Sequence, residues 1–185
     1  MKKKILSTLV IVSLAITTLM GCGNDNISQQ DTEGYQQIEL IMAVNGTDIQ
    51  IDTLVAKKFS ELVAEESNGN IEIIVFPNDQ LAGGNATKGI EMIADGSVDL
   101  AAYASSVISV LDERFLVGTI PWSYNNYQEA RKAIDESGGN YYAKLLEEYD
   151  ITFLGSFHNG FRQLTNSKHT VKTPEDVKGL KIRVP

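Results

Sequence analysis

The chain is short of the residue types from which most catalytic and metal centres are built. It has one cysteine, Cys22, so no disulfide can form within it. It has two histidines, His158 and His169, and their placement matches no metal-ligand spacing. No Gly-x-Ser-x-Gly elbow is present, and Gly83-Gly84 lacks the Lys-Ser/Thr of a phosphate loop. Basic residues are also in the minority: 16 Lys and Arg stand against 24 Asp and Glu, a net charge of -8. An acidic body does not bind a phosphate backbone, which excludes nucleic acid as a partner. A local basic site can still hold a small anion, because binding there follows the local field and not the net charge. The composition therefore asks for a binding module, with no enzyme activity, cofactor or metal expected.

What is present begins with an address. Lys2, Lys3 and Lys4 form a basic region, and Ile5 to Leu19 form an apolar one too short for a transmembrane helix. It ends in Leu19-Met20-Gly21-Cys22, which resembles a bacterial lipobox with an unusually bulky Met20. Cys22 is the expected lipidation site, so residues 1–21 read as a lipoprotein signal peptide. The mature protein would be lipid-anchored outside the cytoplasmic membrane, at the cell surface or in the periplasm. Residues 22–37 are polar and read as a flexible tether.

The fold is expected from Ile38 onward. Ile38 to Val44 and Ile71 to Phe76 are short apolar runs bounded by turn residues, and so are buried strands. Between them, Leu54, Val55, Phe59, Leu62 and Val63 recur at helical spacing over Asp52 to Ser67. Lys88 to Asp95 reads as a second helix and Val98 to Ala104 as a third strand. This β-α-β-α-β order predicts an α/β fold with a largely parallel sheet covered on both faces. Ligands of such sheets lie beyond the carboxyl ends of the strands, which makes Asn45, Tyr103, Ser105 and Ser106 candidate cleft residues. Trp122 is expected in the core or in a wall of the site. Two helices are expected over 126–136 and 140–149, separated by Ser137-Gly138-Gly139, and a further strand over Ile151 to Phe157.

The last segment, Phe157 to Pro185, carries two arginines on strand-like stretches, Gln163-Leu164-Thr165 beside Arg162 and Ile182 and Val184 beside Arg183. Between them lies a helix-start signal: Thr173 as cap, Pro174 in the first position, Glu175 and Asp176 against the positive helix end, and Gly179 as the stop. The segment reads as strand, short helix, strand, with one guanidinium on each strand. A guanidinium on a rigid strand is a bidentate receptor for a carboxylate.

These stretches together carry a resemblance. Phe59-Ser60-Glu61-Leu62-Val63, Phe76-Pro77-Asn78-Asp79-Gln80-Leu81, Gly96-Ser97-Val98-Asp99-Leu100 and above all Asn159-Gly160-Phe161-Arg162-Gln163-Leu164-Thr165-Asn166 with Thr173 to Pro185 are similar to the DctP-type solute-binding proteins of TRAP transporters. The resemblance implies a two-lobed clamshell of the periplasmic-binding-protein type that closes on an organic anion and delivers it to membrane permease subunits. It implies that Arg183 makes the main salt bridge to the ligand carboxylate, that Arg162 contributes a second, and that Asn45 reaches the ligand. Ala104 stands where sialic-acid-binding members carry glutamate, which disfavours that ligand and leaves Tyr103 and Ser105 to shape another pocket. Residues 38–156 would form lobe I, and 157–185 the start of lobe II with its arginine strands. The family's members are longer, so the chain is expected to be a truncated N-terminal part with lobe II incomplete. A ligand-sensing lipoprotein on the same fold, or a non-functional fragment, is the alternative expectation.

Overall fold

A computed structural model describes residues 34–183 of the chain. The leader, Cys22 and most of the tether lie outside the described residues.

The organising element is β1 (Ile38–Val44), the central strand of a parallel three-stranded sheet in the order β2-β1-β3. It pairs with β2 (Ile71–Phe76) from Ile38↔Ile71 to Ala43↔Phe76, and with β3 (Leu100–Ala102) from Met42↔Leu100 to Val44↔Ala102. A central parallel strand is covered on both faces, which is why Met42, Ala43 and Val44 can be apolar in succession and all buried. α1 (Ile51–Glu66) lays Ala56 against Met42, Val44 and Ile73, with Phe59 and Val63 packed around them. Ser60 Oγ donates to the Ile73 carbonyl at 2.7 Å, linking α1 to β2. The helix ends where Asn68 and Gly69 turn into the left-handed region, at φ 51° and 77°.

α2 (Ala86–Ala94) starts on Asn85, whose side-chain oxygen accepts from the Lys88 amide at 3.2 Å. β3 is shorter than the expected 98–104 stretch for a local reason. The Asp99 carboxylate accepts from the Ile41 amide at 2.8 Å, so a side chain takes the ladder position just before Leu100.

A second cluster forms beyond the sheet. It joins α3 (Ser105–Ile108), a 3-10 stretch Glu113–Thr119 and α5 (Gly139–Glu147) around buried Phe115, Tyr142, Leu145 and Leu146, and α4 (Tyr127–Ala133) leads into α5. The Phe115 and Tyr142 rings lie nearly parallel, 4° apart in plane with centroids at 6.2 Å. Outside this core the Arg114 guanidinium grips Glu148 with both terminal nitrogens, at 3.1 and 2.7 Å, and its Nε donates to Asp112 at 2.8 Å. Those bonds hold the carboxyls of Asp112 and Glu148 below their usual range.

Several expectations are corrected here. The break expected at Ser137-Gly138-Gly139 is no break: a π-helical stretch, Ile134–Gly138, joins α4 to α5, with both glycines in helical conformation. A Cβ at Gly138 would come within 2.7 Å of Ile134 Cδ1, the flexible end of that side chain, so a larger residue there would only shift the isoleucine. Trp122 is neither core nor site wall; it is 96% exposed on a turn with φ 60°. Ile151 to Phe157 forms no strand, and neither do the stretches around Arg162 and Arg183. Strand propensity is realised only when a neighbouring strand completes the ladder, and no described strand runs beside these residues. The turn between the arginines does form, as a short 3-10 helix, Pro174–Val177. There the Asp176 carboxylate accepts from the amides of Lys172 and Thr173, each at 2.9 Å, and Gly179 follows at φ 82°.

Candidate functional site

The carboxyl ends of the three strands converge on one carboxylate. Asn45 follows β1, Asp79 follows β2 and Tyr103 follows β3. The Tyr103 hydroxyl donates to Asp79 Oδ1 at 2.6 Å, and Asn45 Nδ2 donates to Asp79 Oδ2 at 2.7 Å. Asp79 is only 6% exposed. Backbone bonds fix its position: its amide donates to the Val44 carbonyl at 3.0 Å, and that of Asn78 donates to the Gly46 carbonyl at 2.7 Å. The same Gly46 carbonyl accepts from Thr53 Oγ1 at 2.9 Å, which brings the first turn of α1 to this edge. Burial, followed by the bond to Asp79 and its charge, pushes the Tyr103 phenol well above the ordinary tyrosine range. Tyr103 is therefore a proton donor at any physiological pH.

Gly89 of α2 completes the arrangement. A Cβ there would stand 2.3 Å from the Tyr103 hydroxyl, so only glycine lets the phenol pass under the helix to Asp79. Gly89→Ala is expected to destabilise the fold by about 1–3 kcal/mol through overpacking. In a Tyr103→Phe background the same change should cost clearly less, because the oxygen at 2.3 Å is gone and only the ring carbon at 3.2 Å remains, while alanine favours a helix. Urea midpoints of the four proteins check this; equal costs in both backgrounds would dismiss the contact.

Of the residues singled out in the sequence, Asn45 and Tyr103 are brought together, through Asp79. Ser105 lies two residues beyond Tyr103 as the first residue of α3, half-buried. Arg162 and Arg183 are exposed on irregular backbone, and no salt bridge or side-chain hydrogen bond among the described residues involves either. One aromatic contact anchors the first of them: the rings of Phe161 and Tyr127 pack at a tilt of 31° with centroids 4.7 Å apart, holding the Gly160-Phe161-Arg162 stretch against α4. Beside this contact a groove of about 540 Å³ is lined by Ile51, Arg131, His158 and Asn159, among others, and by none of the five expected ligand residues.

Asp79 was missed because Pro77 to Asn85 reads as a plain loop. The available signal was its position: an acidic residue three positions after a parallel strand lies near the edge where ligands bind.

A parallel α/β layer with a fixed polar cluster at its carboxyl edge is the architecture of a small-molecule-binding domain. The chain belongs to the bacterial extracellular solute-binding protein family 7, DctP, whose sequence profile matches residues 42–185. It is 29% identical over 182 residues to the C4-dicarboxylate-binding protein DctB of Bacillus subtilis, covering 95% of this chain and 51% of that protein. It is 33% identical over 130 residues to the 2,3-diketo-L-gulonate-binding periplasmic protein YiaO of Escherichia coli, covering 70% of this chain and 39% of the relative. Among solved structures, a TRAP periplasmic solute binding protein from Chromohalobacter salexigens with bound D-glucuronate superposes with a TM-score of 0.70 at 26% identity, over 76% of this chain and 46% of that one. The chain thus spans about half the length, or less, of these relatives.

Proposed function

We propose that the chain acts outside the cytoplasmic membrane in TRAP-type transport, binding a small organic anion through its carboxylate for delivery to membrane permease subunits. The observation that carries this reading is the polar cluster at the carboxyl edge of the parallel sheet, in a chain of this family that also bears the two arginine motifs. Arg183 is assigned the main salt bridge to the carboxylate and Arg162 a second contact. Asn45, Tyr103 and Ser105 face the remainder of the ligand. Residues 38–156 serve as lobe I and 157–185 as the entry to lobe II, and Cys22 carries the lipid that holds the protein at the membrane. The relatives support a carboxylate ligand: one is named for C4-dicarboxylates, and another holds D-glucuronate.

Calorimetric titration of the full chain with D-glucuronate and with D-glucose tests the reading. The two differ by a carboxylate in place of a hydroxymethyl group. Glucuronate is expected to bind and glucose to give no heat; equal responses, or none from glucuronate, would reject carboxylate capture.

A further inference from the structure

The function just assigned to the arginines leaves Asp79 unused, and its hydrogen bonds determine what its neighbours can offer a ligand. Asn45 Nδ2 is committed to Asp79 Oδ2. Turning the amide over would set its Oδ1 against a carboxylate oxygen at 2.7 Å, two acceptors with no proton between them. Asn45 is therefore held with Oδ1 and its second N–H free. The single proton of the Tyr103 hydroxyl is committed to Asp79 Oδ1, which leaves only lone pairs on that oxygen. Asp79 itself receives both bonds, as an ionised carboxylate does, and keeps further lone pairs. Among the described residues it has no salt-bridge partner.

The sheet edge thus offers mostly acceptors, with one N–H of Asn45 as a donor, and carries two buried carboxylates without salt-bridge partners among the described residues, Asp79 at 6% and Asp52 at 7% exposed. Such a surface is complementary to hydroxyl groups, which donate. It is hostile to a second carboxylate, which would bring more acceptors and a like charge into a poorly screened place.

We infer that Asp79 sets the class of ligand: a monocarboxylate carrying hydroxyl groups along its chain, a sugar acid, in preference to a four-carbon dicarboxylate. The inference rests on the reading that the arginine segment holds one carboxylate, and it assigns the other end of the ligand to the Asn45–Asp79–Tyr103 cluster.

The test is calorimetric titration of the full chain with D-galactonate and with succinate. Galactonate is expected to bind at least about tenfold more tightly, because a site built to accept from hydroxyls penalises a ligand that lacks them. Asp79→Asn removes the charge and one of the two acceptors, which frees one neighbour to turn its donor outward, so the ratio should fall to within about threefold. Asp79→Ser serves as a second variant, with circular dichroism reporting the fold of each. Succinate binding as tightly as galactonate in the unaltered chain would overturn this inference and leave carboxylate capture standing. So would a ratio unchanged in both folded variants. Failure of both acids to bind would overturn the reading of carboxylate capture and this inference with it.

Discussion

Arg183→Ala is expected to weaken D-glucuronate binding on the order of a hundredfold in calorimetric titration, the loss typical of truncating one partner of a desolvated charge pair. The guanidinium is the one side-chain group that meets a carboxylate with two parallel N–H donors and cannot lose its charge. Arg183 is exposed and engages no described residue, so its donors remain available to a ligand. Lysine should restore only part of the affinity, since a point charge lacks the fork geometry. Arg162→Ala should cost less, about tenfold, as a secondary contact. Because neither arginine supports the described core, the thermal transition should stay where it was. Unchanged affinity in Arg183→Ala would remove the central assignment of the site.

Phe115→Ala carries the largest expected cost in stability, about 3–5 kcal/mol, from lost burial and the cavity left behind. Phe115 is 1% exposed and stacks on Tyr142, with Leu145 and Leu146 completing the cluster. Such a loss is a large part of the 5–15 kcal/mol available to a domain. The damage should be uneven. The sheet has its own core of Met42, Val44, Ala56 and Ile73. Hydrogen exchange should therefore show protection lost first in α5 and the Glu113–Thr119 stretch, with β1 amides exchanging later. Equal loss of protection in β1 would show that the two clusters open as one unit.

What could be read from the residues follows from the range of the forces involved. The strands β1 and β2 and the helix between them were legible because short apolar runs and helical spacing are local properties, and each run ends at its own turn residues, such as Asn68-Gly69. The turn at Thr173–Asp176 was legible for the same reason, since the bonds to Asp176 come from residues three and four positions away. The arginine stretches show the limit. Their strand propensity is local, but a ladder needs a neighbour, and among the described residues they have none.

The cluster at the sheet edge lies further from what local pattern can tell. Asn45 and Tyr103 were placed near a cleft by the rule for parallel sheets, which needs only the order of elements. That they meet on Asp79 depends on the register of β1 with β2 and β3, on a left-handed turn at Asp79, and on the absence of a side chain at Gly89. No one of these is visible in a short window. The sequence by itself determined the class of fold, the order of its layers and the residue types able to hold an anion, because burial and backbone propensity act along the chain. Only the tertiary structure decided which of those residues share a proton network and with what polarity, because a hydrogen bond between residues 24 and 34 positions apart forms only after packing has brought three strand ends together.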